Sequence, residues 1–288
     1  MAAPDTISFL SDYGLDDEHV GVVHSVIRGI APDARVIDLT HGIPPHDTRA
    51  GGLALARAVQ YVAPGVILAV VDPGVGTARR AVAVEVADGE GIFVGPDNGL
   101  LAPAVAMAGG ATRAVALTDE RFHLPAPGAT FAGRDVFAPV AAHLCAGVAL
   151  DELGPTVDTA SLLPGVLPVS RTEGEAVVAE VLWVDRFGNA QLNVGPDELP
   201  ALRHTLTTGT TVRTATRCPT YGAVPPGAVG LVVDAYGLLS VAIDRRSAAG
   251  ELGLAAGTEL RLEPLEDAAV PSASGSSPVA FPSVRREV

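Results

Sequence analysis

The sequence contains no lysine: all 19 of its basic residues are arginine. A Schiff-base mechanism and a P-loop both need a lysine amine, so neither is expected. Cysteine is nearly absent too. Cys145 and Cys218 stand far apart without a CxxC spacing, which argues against a zinc site or a disulfide framework. No apolar run approaches the ~18 residues of a membrane span. The opening MAAPDTISFL lacks the basic region and long apolar stretch of a secretory signal, so the expected location is the cytoplasm, with no membrane partner. Positive charge is scarce against a net charge of -14, a surface that repels polyanions, so nucleic acid is not an expected partner. The same acidity keeps a chain soluble and favours a cationic small substrate.

Familiar chemical signatures are missing as well. GxxxxGK[ST] does not occur, GxGxxG does not follow the first strand, and GxSxG and HExxH are absent. Seven histidines are scattered, and only His41 and His46 approach a ligand-like spacing; flanking Pro44-Pro45, they read as loop residues, so no metal is expected.

With 288 residues, 48% of them hydrophobic and 18% charged, the chain has the material for a real core in one large domain or two modest ones. TISFLS at 6–11 is a short apolar run ending in Asp12-Tyr13-Gly14. Val20, Val23, Val26, Ile27 and Ile30 then recur at helical spacing. Arg35–Leu39, a helix over 48–61, VILAVV after Gly65, AVAVEV and IFV continue the alternation. Strand, polar loop and helix in repetition predict an α/β domain with a central, mostly parallel sheet. Asp12, Asp72 and Asp97/Asn98 fall where a strand hands over to a loop, the place where open α/β sheets bind ligands. Each alone is ordinary turn chemistry; three together point to a site.

Beyond Leu163-Pro164-Gly165 to Pro168, a linker, the rhythm changes to strand-like stretches: AVVAEVLWV, NAQLNV, the threonine-rich 205–216 and GLVVDAYGLLSVAI, whose Ala235-Tyr236-Gly237 marks a tight hairpin. The expected division is an α/β domain over 1–165, a smaller all-β barrel over 170–266 with Trp183 in its core, and a disordered Ser/Pro/Ala-rich tail over 267–288.

Five segments carry unusual polar content in order: FLSDYG, VVDPGVGTARR, VGPDNGLL, TFAGRDVFAP and VDRFGNAQLN. Over about residues 6–265 this combination resembles the S-adenosyl-L-methionine hydroxide adenosyltransferase family, relatives of bacterial fluorinase and chlorinase. The resemblance implies cleavage of S-adenosylmethionine by water into adenosine and methionine, with no cofactor beyond that substrate. It also implies a homotrimer whose active site lies at the subunit interface. Asp12 matches the carboxylate that holds the ribose hydroxyls, and Asp72 and Arg79 match the pair that activates water. Phe187 and Tyr221 match aromatics packing on adenine, Asn189 the amide reading its edge, and Asp185 a contact to the methionine end. Asn98 and Phe131 are carried over as substrate contacts from their own motifs.

Two positions depart. Where the family pattern reads Phe-His-Gly-Arg-Asp, this chain has Ala132 after Phe131, and an alanine neither transfers a proton nor orients water. An introduced inactivating substitution, a natural loss of activity, or a mechanism without the imidazole would each explain it; the intact surroundings favour the first. His123, nine residues upstream, is not an evident substitute. In the barrel hairpin Asp234-Ala235-Tyr236-Gly237 replaces a serine-containing turn, so backbone amides or Tyr236 would hold the methionine carboxylate. The expected activity is therefore S-adenosylmethionine hydrolysis, impaired at Ala132. The alternatives are halide transfer to the same carbon and a non-catalytic adenosine or S-adenosylmethionine binder.

Overall fold

The computed structural model describes residues 3–265 apart from Glu90; the tail expected over 267–288 lies outside the described residues. Contacts divide the chain into two compact units that meet in sequence at Val169 and Ser170.

The first unit is built on β1 (Thr6–Ser11), β2 (Arg35–Thr40), β3 (Gly65–Val70), β4 (Ala81–Val86), β5 (Gly91–Pro96) and β6 (Ala111–Ala116), ordered β2-β1-β3-β5-β4-β6. The pairs β1–β2, β1–β3 and β3–β5 are parallel, whereas β4 runs antiparallel to β5 and β6. Side chains alternate across the sheet, so each central strand feeds two cores. Ile7, Phe9, Leu68 and Val70 join the core that includes Val23 and Ile27 of α1 (His19–Ile30) and Val140 of α4 (Ala138–Cys145). Leu10, Ile67 and Ala69 face the other core, with Leu55 of α2 (Thr48–Ala58) and Ala104 of α3 (Ala102–Met107).

This arrangement fixes where a ligand can go. From β1 the chain leaves through α1 on one face to β2, then returns through α2 on the opposite face to β3. Between β1 and β3 the connections part, which opens a crevice at their carboxyl ends. Asp12 follows the last residue of β1, and Asp72 lies two residues past β3.

The second unit contains β7 (Arg171–Glu173), β8 (Ala176–Val184), β9 (Ala190–Leu192), β10 (Arg203–Thr208), β11 (Thr211–Cys218), β12 (Val229–Val233), β13 (Leu239–Ala242) and β14 (Glu259–Pro264). Seven strands follow the order β14-β10-β11-β12-β13-β9-β8, and β8 pairs back with β14 to close a barrel, with β7 added outside β8. Val177, Ala179, Val181, Leu206, Leu231, Val241 and Leu260 fill the interior. The threonine-rich 205–216 is a hairpin of β10 and β11, and residues 234–238 turn tightly between β12 and β13.

Trp183 corrects an expectation. It is 36% exposed rather than part of the barrel core. The odd-numbered residues 177, 179 and 181 point inward, but the β8–β9 register shifts between Val181 and Trp183, after which the even-numbered Val184 packs on the core. A one-residue slip exchanges the two faces of a strand and turns the indole outward.

Candidate active site

At the crevice, one cavity of ≈ 230 Å³ is lined by Asp12, Tyr13, His19, Asp72, Phe131 and Ala132, among others. The structure thus brings together residues from three of the five segments. Asp12 accepts a hydrogen bond at Oδ2 from the backbone N–H of His46 (2.9 Å), and its own N–H donates to the carbonyl of Val70 (3.3 Å), which extends the β1–β3 ladder. The carboxylate is therefore fixed at the mouth of the sheet.

Asp72 is the most enclosed charge here, with its side chain 6% exposed. Arg79 donates from Nε to Oδ1 (2.9 Å) and from Nη2 to Oδ2, a two-pronged ion pair. The guanidinium also lies 5.2 Å over the buried ring of Phe137. The seven-residue separation closes because the glycine-rich loop folds back through Val75 N–H to the Asp72 carbonyl and Thr77 N–H to the Gly74 carbonyl. Burial pushes the Asp72 carboxyl above its ordinary value, opposed by the adjoining Arg79 charge and its hydrogen bonds.

The TFAGRD segment starts a π-helical turn over Gly133–Phe137 that runs into α4. Gly133 has a steric reason: a Cβ there would collide with the Tyr13 hydroxyl. Burial first, then the charges of Asp12, Asp72 and Asp135, hold that phenol protonated. Phe131 meets Tyr13 edge-on at 5.5 Å and His19 at 4.9 Å. Arg134 and Asp135 form the ion pair their adjacency suggests, with Arg134 5.1 Å above the Phe131 ring.

Ala132 also lines a second, larger cavity of ≈ 710 Å³, together with Thr77, Arg79, Glu120, His123 and Asp135. His123, not an evident substitute for the missing imidazole by sequence, shares a cavity wall with Ala132 and Arg79. Its sequence neighbourhood carries no motif, so only the folding of the 119–124 segment against the π-helical turn reveals it. His19 and Tyr13 were also missed as site residues, although Tyr13 sits inside the FLSDYG segment.

Asn98 lines neither cavity. Its Nδ2 donates to the Val71 carbonyl (2.9 Å) and its Oδ1 accepts from the Leu100 N–H (3.1 Å), so the side chain braces the loop after β5 against the strand end that carries Asp72.

The remaining expected residues lie in the barrel unit. Asp185 organises its own loop, accepting at Oδ1 from the N–H groups of Phe187 (2.9 Å) and Asn189 (2.8 Å) and at Oδ2 from Asn189 Nδ2 (2.8 Å). Gly188 adopts φ +85° and abuts Ser247, a place no side chain fits. The loop holds Phe187 outward, 78% exposed. Asp234 plays the same part in the β12–β13 turn, accepting from the N–H groups of Tyr236 and Leu238 and from Gln191 Nε2. Tyr221 and Tyr236 are partly exposed, at 40% and 45%. Burial pushes the Tyr221 phenol up, a hydrogen bond with Ser240 opposes it, and the charges of Asp234 and Asp185 add to the rise.

A mostly parallel sheet with paired charges at its switch point, followed by a seven-stranded closed barrel, defines a two-domain class of protein with an α/β unit and a barrel unit. The chain belongs to the S-adenosyl-L-methionine hydroxide adenosyltransferase family: the model of the family's N-terminal domain matches residues 7–154 and that of its C-terminal domain matches residues 179–261. It is 46% identical over 262 residues to the (R)-S-adenosyl-L-methionine hydrolase of Salinispora tropica, covering 91% of this chain and 99% of that one. It is 45% identical to the protein of the same name from Thermus thermophilus, over 89% of this chain and 98% of the relative. A protein named fluorinase from an Actinoplanes species matches at 26% over 67% of this chain and 72% of its own length. Among solved structures, an uncharacterized conserved protein from Thermotoga maritima superimposes with a TM-score of 0.82 at 34% identity, over 89% of this chain and 99% of that one.

Proposed function

We propose that this protein hydrolyses S-adenosyl-L-methionine, in the (R) form at sulfur, to adenosine and L-methionine. The observation that carries the reading is the enclosed Asp72–Arg79 pair beside Asp12 at the sheet's switch point. Asp12 accepts hydrogen bonds from the ribose hydroxyls, each worth ~1.5–3 kcal/mol when charge-assisted. Water attacks the ribose 5′ carbon in line with the departing sulfur, which leaves as a neutral thioether and needs no general acid. Hydroxide at neutral pH is disfavoured by about 12 kcal/mol, so the site must lower the cost of making the nucleophile. Asp72 accepts a hydrogen bond from the water, and Arg79 stabilises the negative charge that develops on its oxygen.

Phe131 packs against the substrate from the α/β unit. On the barrel unit, Phe187 and Tyr221 pack on adenine, Asn189 reads its edge, and Asp185 and Tyr236 serve the methionine end. The exposure of Phe187 supports completion of the site by association, for which a homotrimer with the active site at the subunit interface is the proposed form. Ala132 supplies no proton-transfer group. The protein acts in the cytoplasm without a cofactor.

Incubation with the (R) and (S) sulfonium epimers in high chloride tests the reading. Adenosine and methionine from the (R) epimer are expected. Formation of 5′-chloro-5′-deoxyadenosine without adenosine assigns halide transfer instead, and tight adenosine binding with no product from either epimer assigns a binding protein.

A further inference from the structure

Hydrolysis at the 5′ carbon releases one proton. The water's oxygen bonds to carbon, the carbon–sulfur bond breaks with its electron pair going to sulfur, and one O–H bond of the water is lost. Asp72 alone is a poor final acceptor, because Arg79 donates to both of its oxygens. The cavity behind that pair holds another group. His123 lines the cavity that Arg79 also lines, and its Nε2 is buried with no hydrogen-bond partner among the described residues. A buried polar atom without a partner costs about 1–3 kcal/mol, so its retention calls for a reason.

The backbone that carries the imidazole is held in place. His123 N–H donates to the Glu120 carbonyl (3.1 Å), and the next N–H, that of Leu124, donates to the Asp135 carbonyl (2.8 Å), which ties this segment to the turn that follows Ala132. Ala132 lines both the Asp12–Asp72 cavity and the His123–Arg79 cavity, so the two cavities meet at this residue.

We propose that His123 is the proton acceptor of this site: it takes the proton released by the attacking water at Nε2, reached past Ala132 on the Arg79 side, without touching the sugar. The inference rests on the hydrolase reading. Burial holds this imidazole below its ordinary value, while Glu120 and Asp119 pull it upward. A neutral imidazole offers one free ring nitrogen to a proton. The charged groups that act on it are Glu120 and Asp119 on its own segment, and Arg79 of the glycine-rich loop and Asp135 of the π-helical turn line the same cavity. His143 of α4 stacks on the adjacent Phe122 at 5.2 Å.

The test compares full-length wild type, His123→Ala, His123→Gln and His19→Gln for adenosine formation from the (R) epimer between about pH 5 and 8, with and without added imidazole. Adenosine affinity by calorimetry and melting temperature are measured alongside. Both His123 variants are expected to slow turnover by roughly 100-fold or more while binding adenosine normally. Their rates should also lose the acid limb that protonation of a histidine imposes. Added imidazole should raise the His123→Ala rate by about tenfold, which a merely structural role would not produce. Should His123→Ala fail to fold, His123→Gln carries the comparison by its pH profile. Wild-type turnover in both His123 variants overturns the inference alone. So does a slow variant that keeps the acid limb and ignores imidazole, or loss of that limb in His19→Gln instead. Wild type that forms no adenosine overturns the hydrolase reading and this inference with it.

Discussion

The two units hold their candidate residues in opposite ways. In the α/β unit the charges are enclosed and engaged: Asp72 is clasped by Arg79, Arg79 lies over Phe137, and Tyr13 fills the space that Gly133 leaves open. In the barrel unit the polar groups, Asp185 and Asp234, are spent on shaping two turns, while Phe187 stands in the open and Tyr221 and Tyr236 are partly exposed. Dipoles and charges that need no reorganisation suit bond breaking. Exposed rings on rigid turns suit recognition, since stacking gains most from surface that is still wet. On the proposed reading, the α/β unit carries the chemistry and the barrel unit the selection of the nucleoside.

The strongest break in that comparison is Asp72→Asn. It should lower adenosine formation by about 100- to 10,000-fold with adenosine affinity nearly intact, measured by steady-state rates and calorimetry. A loss of affinity of that size instead would move Asp72 from chemistry to binding. Asp12→Ala comes next. Losing even one charge-assisted bond of ~1.5–3 kcal/mol should weaken adenosine binding by roughly 10- to 150-fold, more than it slows bound turnover. Unchanged affinity would contradict the ribose assignment.

Phe187→Ala sharpens the barrel side. The ring contributes little to folding at its exposure, so stability read from thermal melts should stay within the ~0.5 kcal/mol typical of surface changes. Adenosine affinity should fall by about 0.5–1.5 kcal/mol beyond lost burial. A fall in stability without a fall in affinity would make Phe187 a packing residue.

The smallest effect concerns pH, and here the units should agree. Burial holds His143 in the α/β unit below its ordinary value, and burial followed by the Arg217 charge does the same to His204 in the barrel. Below about pH 6.5 the unfolded chain takes up protons that these folded sites refuse. Their stability contribution is thus complete above that pH and declines as the pH falls toward the folded-state values. Thermal melts at about pH 7.5 and 5.5 should show a lower midpoint in acid for both units. A rise would reverse the sign.

Much of this was legible in the chain itself. Asp12 and Asp72 follow apolar runs of strand length, and strand ends in an α/β sheet are where ligands gather, so their meeting required only topology. The barrel was readable from its strand spacing and the DAYG turn. Trp183 was not, because an irregularity in pairing leaves no mark in a run such as AVVAEVLWV. His123 was hidden for a different reason: its placement comes from the Leu124–Asp135 backbone bond, a contact between segments with no shared pattern. Asn98 lies in a conspicuous motif yet serves the loop that holds Asp72's strand. Motifs mark where polar groups concentrate, and packing decides which of them face the cavity.

The most direct measurement is the fate of solvent oxygen. Wild-type protein turned over with the (R) epimer in heavy-oxygen water should place the label in the 5′ hydroxyl of adenosine and none in methionine. Label absent from that hydroxyl, or a nucleoside product without a 5′ oxygen, would contradict attack by water at the 5′ carbon.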